Sequence, residues 1–291
     1  MPAGSHRFQV GTLWCTVLSD GYVANPASWY FPNAGRVELA EALGNHGPDC
    51  DTVISPYTCL LVETGSEVVL ADAGLGNGSN TSGAILARLE VAGIRRQDVT
   101  TVVLTHAHPD HIGGAVDWRN PAAPLPMFPN ARYAMAEAEW DFWTSARVDL
   151  CGLRVSDDVK RAMPFTARRC LEALRHQVEL IGRETEIVRG IRALPAPGHT
   201  PGHLALLLSS EGRQLLNLGD AAVHPLHLEH LEWQNGFDLD PHRAVATRRS
   251  LLERAAAEQM HVMAFHFPFP SVGRVAARSM AGGGWDWTPG W

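Results

Sequence analysis

Residues 105–111 read Thr-His-Ala-His-Pro-Asp-His, which places three imidazoles and a carboxylate directly after the apolar run Thr101-Val102-Val103-Leu104. Neutral imidazole and carboxylate are the usual protein ligands of zinc and of related divalent ions. His106 and His108 are two apart, so both rings project from one face if strand geometry runs to its end. Pro109 cannot continue a ladder and turns the chain, which brings Asp110 and His111 toward the same region from another side. Surface histidines in a loop are the alternative, but this order after a buried strand favours a metal site.

The elements that must hold this stretch follow from periodicity. Arg7 to Leu18 alternates around Gly11-Thr12 and reads as a hairpin. Tyr57–Glu63 and Val68–Ala71 read as a second hairpin across Thr64-Gly65-Ser66, ending in Asp72, a candidate to orient a ligand histidine. Ser82 to Ala92 has a helical pattern stopped by Gly93. Strand, helix, strand in that order argues for an α/β architecture, and Gly113-Gly114 permits close packing beneath the site. Residues 118–190 read as a helical insertion over the site: a strand at Ala131–Ala136, a helix at Glu137–Ser145 and another at about Thr166–Ile181. The apolar stripe of the latter includes Leu171, Leu174, Val178 and Ile181.

Strands return at Ile187–Leu194, which leads into Pro-Ala-Pro-Gly-His199-Thr-Pro-Gly-His203. Leu204–Leu208 and Gln214–Leu218 form a hairpin around Glu211-Gly212 and end in Gly219-Asp220. Asp240 as N-cap and Pro241 at the first position open a helix to about Gln259. The strand His261–Phe265 then delivers His266. Asn25 to Asn33 is a loop carrying Trp29, Tyr30 and Phe31, which either lines a pocket or caps the core.

Composition narrows the function classes. The 291 residues carry a formal net charge of −7 and no long basic block, which is the wrong footprint for a nucleic-acid binder. No apolar run is long enough to span a bilayer. The N-terminus lacks the basic-then-apolar pattern of a secretion signal. Cysteines 15, 50, 59, 151 and 170 share no close spacing and read as thiols in a reducing compartment, so a cytoplasmic location is expected.

Four separated places thus put His or Asp at a strand end beside Gly or Pro: 106–111, 199, 220 and 266. The sequences T-H-A-H-P-D-H-I-G-G, A-P-G-H-T-P-G-H, L-G-D-A-A and F-H-F-P-F-P resemble the metallo-β-lactamase superfamily over nearly the whole chain. The resemblance implies one α/β domain over 1–291, a four-layer αβ/βα sandwich with metals at one edge. Carried over by position, one ion would be held by His106, His108 and His199, and a second by Asp110, His111 and His266, with Asp220 bridging. Zinc is expected first, with manganese, iron or cobalt also suited. Such a pair implies a metal-bridging hydroxide as nucleophile, with Asp110 and Asp220 as catalytic carboxylates. His203 reads as structural, and His224 as a substrate-side candidate.

The bridging aspartate looks like the dinuclear hydrolases of that superfamily, and the Asp220-to-His266 segment with its F-H-F-P-F-P ending resembles the methyl parathion hydrolase group, beside the acyl homoserine lactonase-like branch. A promiscuous esterase or lactonase acting on small neutral substrates is the expectation, with organophosphate triesters as a lesser activity. Trp29, Phe31, Trp143 and Phe267 are candidates for an apolar pocket. Many lactonases of that branch carry a tyrosine three residues after the bridging aspartate; here the position is Val223, which leaves the oxyanion-stabilising group open. A dinuclear-iron oxidoreductase or a non-catalytic metal-binding protein on the same fold is the alternative. A homodimer through the aromatic N-terminal loop stays open.

Overall fold

The computed structural model describes residues 4–44, 52–76, 80–278 and 283–291. Cys50, and residues 77–79 of the loop that follows Gly74, lie outside them. The first half runs β1 (Ser5–Val10), β2 (Leu13–Pro26), α1 (Ala27–Tyr30), α2 (Arg36–Ala42), β3 (Thr52–Glu63), β4 (Val68–Ala71), α3 (Ile85–Val91) and β5 (Thr101–Val103). Next come α4 (Pro109–Ile112), the short pair β6 (Val116–Asp117) and β7 (Leu125–Pro126), β8 (Arg132–Ala136), α5 (Glu137–Thr144), α6 (Asp157–Leu174) and β9 (Val178–Ile181). The second half holds β10 (Thr185–Val188), β11 (Ile191–Pro195), β12 (Leu204–Ser210), β13 (Arg213–Asn217), α7 (Leu226–Glu229), α8 (Pro241–Ala257), β14 (His261–Met263), β15 (Val272–Ala277) and β16 (Trp285–Pro289).

Two seven-stranded sheets result, ordered β1-β2-β3-β4-β5-β8-β9 and β10-β11-β12-β13-β14-β15-β16. Their layering follows from strand alternation. In β3, Leu60 and Val62 enter the core between the sheets, while Cys59 and Leu61 face outward toward α3 and α6. In β12, Leu204, Leu206 and Leu208 face the inter-sheet core, and Ala205 and Leu207 pack with Leu251, Leu252 and Ala255 of α8. Each sheet is therefore apolar on both faces and covered outside by helices. This is an αβ/βα sandwich.

The hairpins expected at Gly11-Thr12, Thr64–Ser66 and Glu211-Gly212 form in register, with Val10 opposite Leu13, Glu63 opposite Val68 and Ser210 opposite Arg213. Three expectations differ. Within residues 118–190 the strand expected at Ala131–Ala136 forms as β8, but a second strand, β9, is not expected from the sequence, and the two complete one edge of the first sheet in parallel pairing. The helix expected from Thr166 starts at Ser156, whose side chain caps Val159 N–H, and Pro164 sits inside it. That helix stops at Leu174. Val178 and Ile181 belong to β9; they keep the helical spacing by coincidence, because a turn at residues 175–177 consumes about one helical period. Ile187–Leu194 is likewise two strands, broken at Gly190, which adopts φ +86°. No described helix is long and apolar enough to cross a membrane.

Candidate metal centre

Four strand ends deliver the site. After β5, Leu104 and Thr105 bring His106 into a fully buried position. The strand has already ended, so His106 and His108 do not owe their proximity to strand alternation. His108 instead precedes α4 in extended geometry, and Pro109 opens the helix that carries Asp110 and His111. The His106 and His108 rings nonetheless meet edge to face at 4.5 Å. Gly114 fixes the far side of this segment: a Cβ there would lie 2.0 Å from Ala73 O, so only glycine lets the turn close on the loop after β4. The expected close packing thus occurs against loop backbone, not under a helix.

His199 stands in the loop between β11 and β12, Asp220 follows β13, and His266 follows β14. All seven expected residues converge. Asp220 Oδ2 lies 3.1 Å from His266 Nε2, 3.3 Å from His199 Nε2 and 3.9 Å from His106 Nε2, while its Oδ1 lies 3.3 Å from His111 Nε2. Asp110 Oδ2 is 3.4 Å from His266 Nε2 and 3.9 Å from His111 Nε2. Potential ligand atoms lie within 4.8 Å of one another in three sets: His106, His108 and His199; His106, His111 and Asp220; Asp110, His111 and His266.

The hydrogen bonds around these rings say which nitrogens are free. His106 Nδ1 meets Thr105 Oγ1 at 3.1 Å, and His111 Nδ1 meets Asp72 Oδ2 at 2.9 Å. His199 Nδ1 meets Asp238 Oδ1 at 2.9 Å, and His266 Nδ1 meets Pro56 O at 3.0 Å. Four imidazoles are thus tied from outside through Nδ1, leaving Nε2 turned inward, which is how protein oxygens orient metal-binding histidines. His108 is reversed, with Nδ1 2.9 Å from His199 Nε2. His106 Nε2, His111 Nε2 and Asp220 Oδ1 are buried with no hydrogen-bond partner. Buried polar atoms are rarely left so, and this donor set fits a pair of divalent ions.

The electrostatics are those of a site built around charge. Burial and the neighbouring imidazoles hold His106 and His108 well below the ordinary histidine range. Burial acts the same way on His111, but the carboxylates of Asp220, Asp72 and Asp110 overcome it and raise that ring. Burial opposes ionisation of Asp220, yet His266 and His111 hold it well below the carboxylate range.

Other expected residues divide. Asp72 orients His111 and also accepts Thr105 N–H at 2.8 Å. Trp29 lines a cavity of about 180 Å³ beside the cluster, together with Tyr30, Tyr57, Leu75, Met163 and Phe237. Phe31, Trp143 and Phe267 do not line it. Phe31 is buried with Trp233 and His227, and Phe267 packs edge-on to Trp287. Trp143 is buried in the core on the outer face of the first sheet, with its ring edge-on to His108. Large aromatics fill whichever interface they reach, so adjacency in sequence is a poor guide to a pocket. His224 also stays off the cavity: its Nδ1 accepts Leu226 N–H at 3.2 Å, and burial depresses the ring to about 4. His203 is structural, since Nε2 accepts Asp220 N–H at 2.9 Å and Nδ1 donates to Ala196 O.

The sequence reading missed two buried carboxylates. Asp238 sets His199, as above. Glu139, at the start of α5, accepts Ala107 N–H and Trp143 Nε1–H on Oε1, and Thr200 Oγ1–H and Gly202 N–H on Oε2. It thereby binds the 106–111 loop to the His199 loop. Gly202 permits this approach, because a Cβ there would sit 2.2 Å from Glu139 N. No local pattern marks either residue.

Comparison with known proteins gives the same picture. The N-acyl homoserine lactonase AiiA of Bacillus thuringiensis subsp. kurstaki is 26% identical over 253 residues, covering 79% of this chain and 89% of that one. The uncharacterized protein YobT of Bacillus subtilis is 29% identical over 166 residues, 57% of this chain and 62% of its own length. Among solved structures, AidC, a dizinc quorum-quenching lactonase, superposes with a TM-score of 0.90 at 26% identity, covering 99% of this chain and 98% of that one. The hydrolase AbOPH gives 0.85 at 23% identity, with coverage of 99% and 98%, a likeness of fold. The profile described as the metallo-beta-lactamase superfamily matches residues 54–259, and the chain belongs to that superfamily.

Proposed function

We propose that the protein is a dinuclear metal-dependent hydrolase of carboxylic esters and lactones. The observation that carries this reading is the set of buried, unpartnered atoms on His106, His111 and Asp220, the last of which lines an apolar cavity together with His108, Asp110, His199 and His266. His106, His108 and His199 would hold one ion, and Asp110, His111 and His266 the other, with Asp220 between them. When bound, such ions supply Lewis acidity for a carbonyl and make a water acidic enough to attack at neutral pH. Zinc is the expected metal, in line with the dizinc lactonase AidC; the His and Asp donor set also suits manganese, iron and cobalt.

The chain's own groups account for the rest. The Asp110 side chain is 19% exposed, against 4% for Asp220, so Asp110 is the carboxylate open to the cavity. Its carboxylate would take the proton of the attacking water and return it to the departing alkoxide. Asp220 stays ionised at the centre of four imidazoles. Trp29, Leu75, Val159, Met163 and Phe237 form a wall suited to a neutral acyl or alkyl group, and they exclude water from the reacting centre.

Zinc-loaded protein assayed in parallel on an acyl homoserine lactone, a nitrophenyl ester and paraoxon tests the reading. Turnover of lactone or ester is expected, with paraoxon slower. Silence on all three rejects it. A visible absorption band from the protein as purified would favour a redox metal, because zinc is colourless and redox-silent.

A further inference from the structure

One hydroxyl on the cavity wall has a proton that no described protein group takes. Tyr30 ends α1 and lines the cavity with Asp110, Asp220 and His266. Asn25 Nδ2 donates to Tyr30 Oη at 3.1 Å. The Ser55 hydroxyl is a further polar neighbour of the phenol.

The Ser55 hydroxyl is itself oriented by its neighbours. His266 Nδ1 lies 2.9 Å from Ser55 Oγ and 3.0 Å from Pro56 O. A carbonyl oxygen only accepts, so Nδ1 carries the ring proton and Ser55 Oγ accepts from it. The Ser55 proton is then free to turn toward Tyr30. Tyr30 Oη accepts from Asn25. Among the described residues no hydrogen bond takes the phenolic proton, which leaves it for a group held in the cavity. Burial and the nearby carboxylates of Asp110 and Asp220 keep the phenol protonated.

Tyr57 and Val223 do not offer the same, while Asn235, whose buried Nδ2 has no hydrogen-bond partner, is a second free donor lining the cavity. Tyr57 packs its ring against Phe265 and His266 at 5.8 and 5.5 Å, and no hydrogen bond among the described residues orients its hydroxyl. Val223 lines the cavity without a polar atom.

We propose that Tyr30 donates this preset proton to the substrate oxygen on which negative charge develops, the carbonyl oxygen of an ester or lactone. Tyr30 is on this view a catalytic residue, and Asn25 and Ser55 are positioning residues. The inference rests on the hydrolase reading. Its energetic logic is that a donor already aimed need not reorganise as charge builds.

The test is Tyr30→Phe in zinc-loaded protein. A donor used only in the transition state should cost about 100-fold in kcat while KM stays within about threefold. Zinc content should be unchanged. Asn25→Ala frees one acceptor site, lets the hydroxyl rotate, and should cost about tenfold in kcat. Affinity for an alkylphosphonate that mimics the tetrahedral state, read by calorimetry, should fall about 100-fold in Tyr30→Phe, in step with kcat.

Turnover within about twofold of wild type with both metals bound overturns the proposal. So does a loss of activity matched by a loss of zinc, which would make Tyr30 structural. A wild-type protein inert on every ester and lactone instead rejects the hydrolase reading. In that case phosphonate binding decides Tyr30, with unchanged affinity counting against it.

Discussion

His199 Nδ1 and Asp238 Oδ1 stand 2.9 Å apart with both side chains buried. The carboxylate fixes the ring so that Nε2 faces Asp220. Asp238→Asn should therefore weaken zinc binding by about 10- to 100-fold without unfolding the protein. Competition against a chromophoric chelator measures this directly, and an unchanged affinity would show that the ring needs no such anchor.

Glu139 joins two loops that lie far apart in sequence. In Glu139→Gln one oxygen becomes an NH₂ group facing donors, so two of the four hydrogen bonds are lost and their N–H or O–H groups stay buried. The expected destabilisation is about 2–3 kcal/mol in urea unfolding. A wild-type midpoint would mean the loops are held by other contacts.

Asp20 accepts Leu75 N–H and Ile85 N–H on its two oxygens, yet burial raises its carboxyl to about 6. The folded protein then holds this proton more tightly than the unfolded chain, whose ordinary value is 3.8. Stability from this group is complete below that value and is lost as pH rises through about 6. Between pH 4 and 8 the loss amounts to about 3 kcal/mol. Asp20→Asn removes this slope, so urea unfolding of metal-free wild type and variant should converge at the acid end and separate at the alkaline end. Parallel pH profiles would contradict the assignment.

Asp220→Ala removes the carboxylate that four imidazoles face, and metal content and hydrolysis should fall together. Chelation of wild type should lower stability by about 3 kcal/mol relative to protein held at a hundredfold excess of zinc over its dissociation constant. Re-addition of zinc should restore both stability and turnover. Full turnover with one ion bound would refute the dinuclear reading.

The HAHPDH stretch was legible because its chemistry is local: residue types, a preceding apolar run and Pro109 are all visible in one window. His199, Asp220 and His266 could be placed because each follows a strand beside Gly or Pro. Asp238, Glu139 and Ser55 were not visible, since each acts on a partner far away in sequence and lies in no recognisable pattern. Ser156-Asp157-Asp158 did carry a start signal for α6, with a capping serine and an acidic first turn. Phe31, Trp143 and Phe267 misled because apolar bulk states that a residue is buried, not which interface buries it.

Strand β3 passes beside the site at Ser55 and Tyr57 and, at about 3.3 Å per residue, carries the chain away from it to the hairpin turn after Glu63. There the hairpin turns around Thr12, Thr64–Ser66, Gly190 and Ser210-Glu211 gather around one polar surface hollow. A surface linker, affinity tag or fused partner attached at Ser66 or Glu211 would thus leave the mouth of the cavity unobstructed, so the protein is well suited to oriented immobilisation.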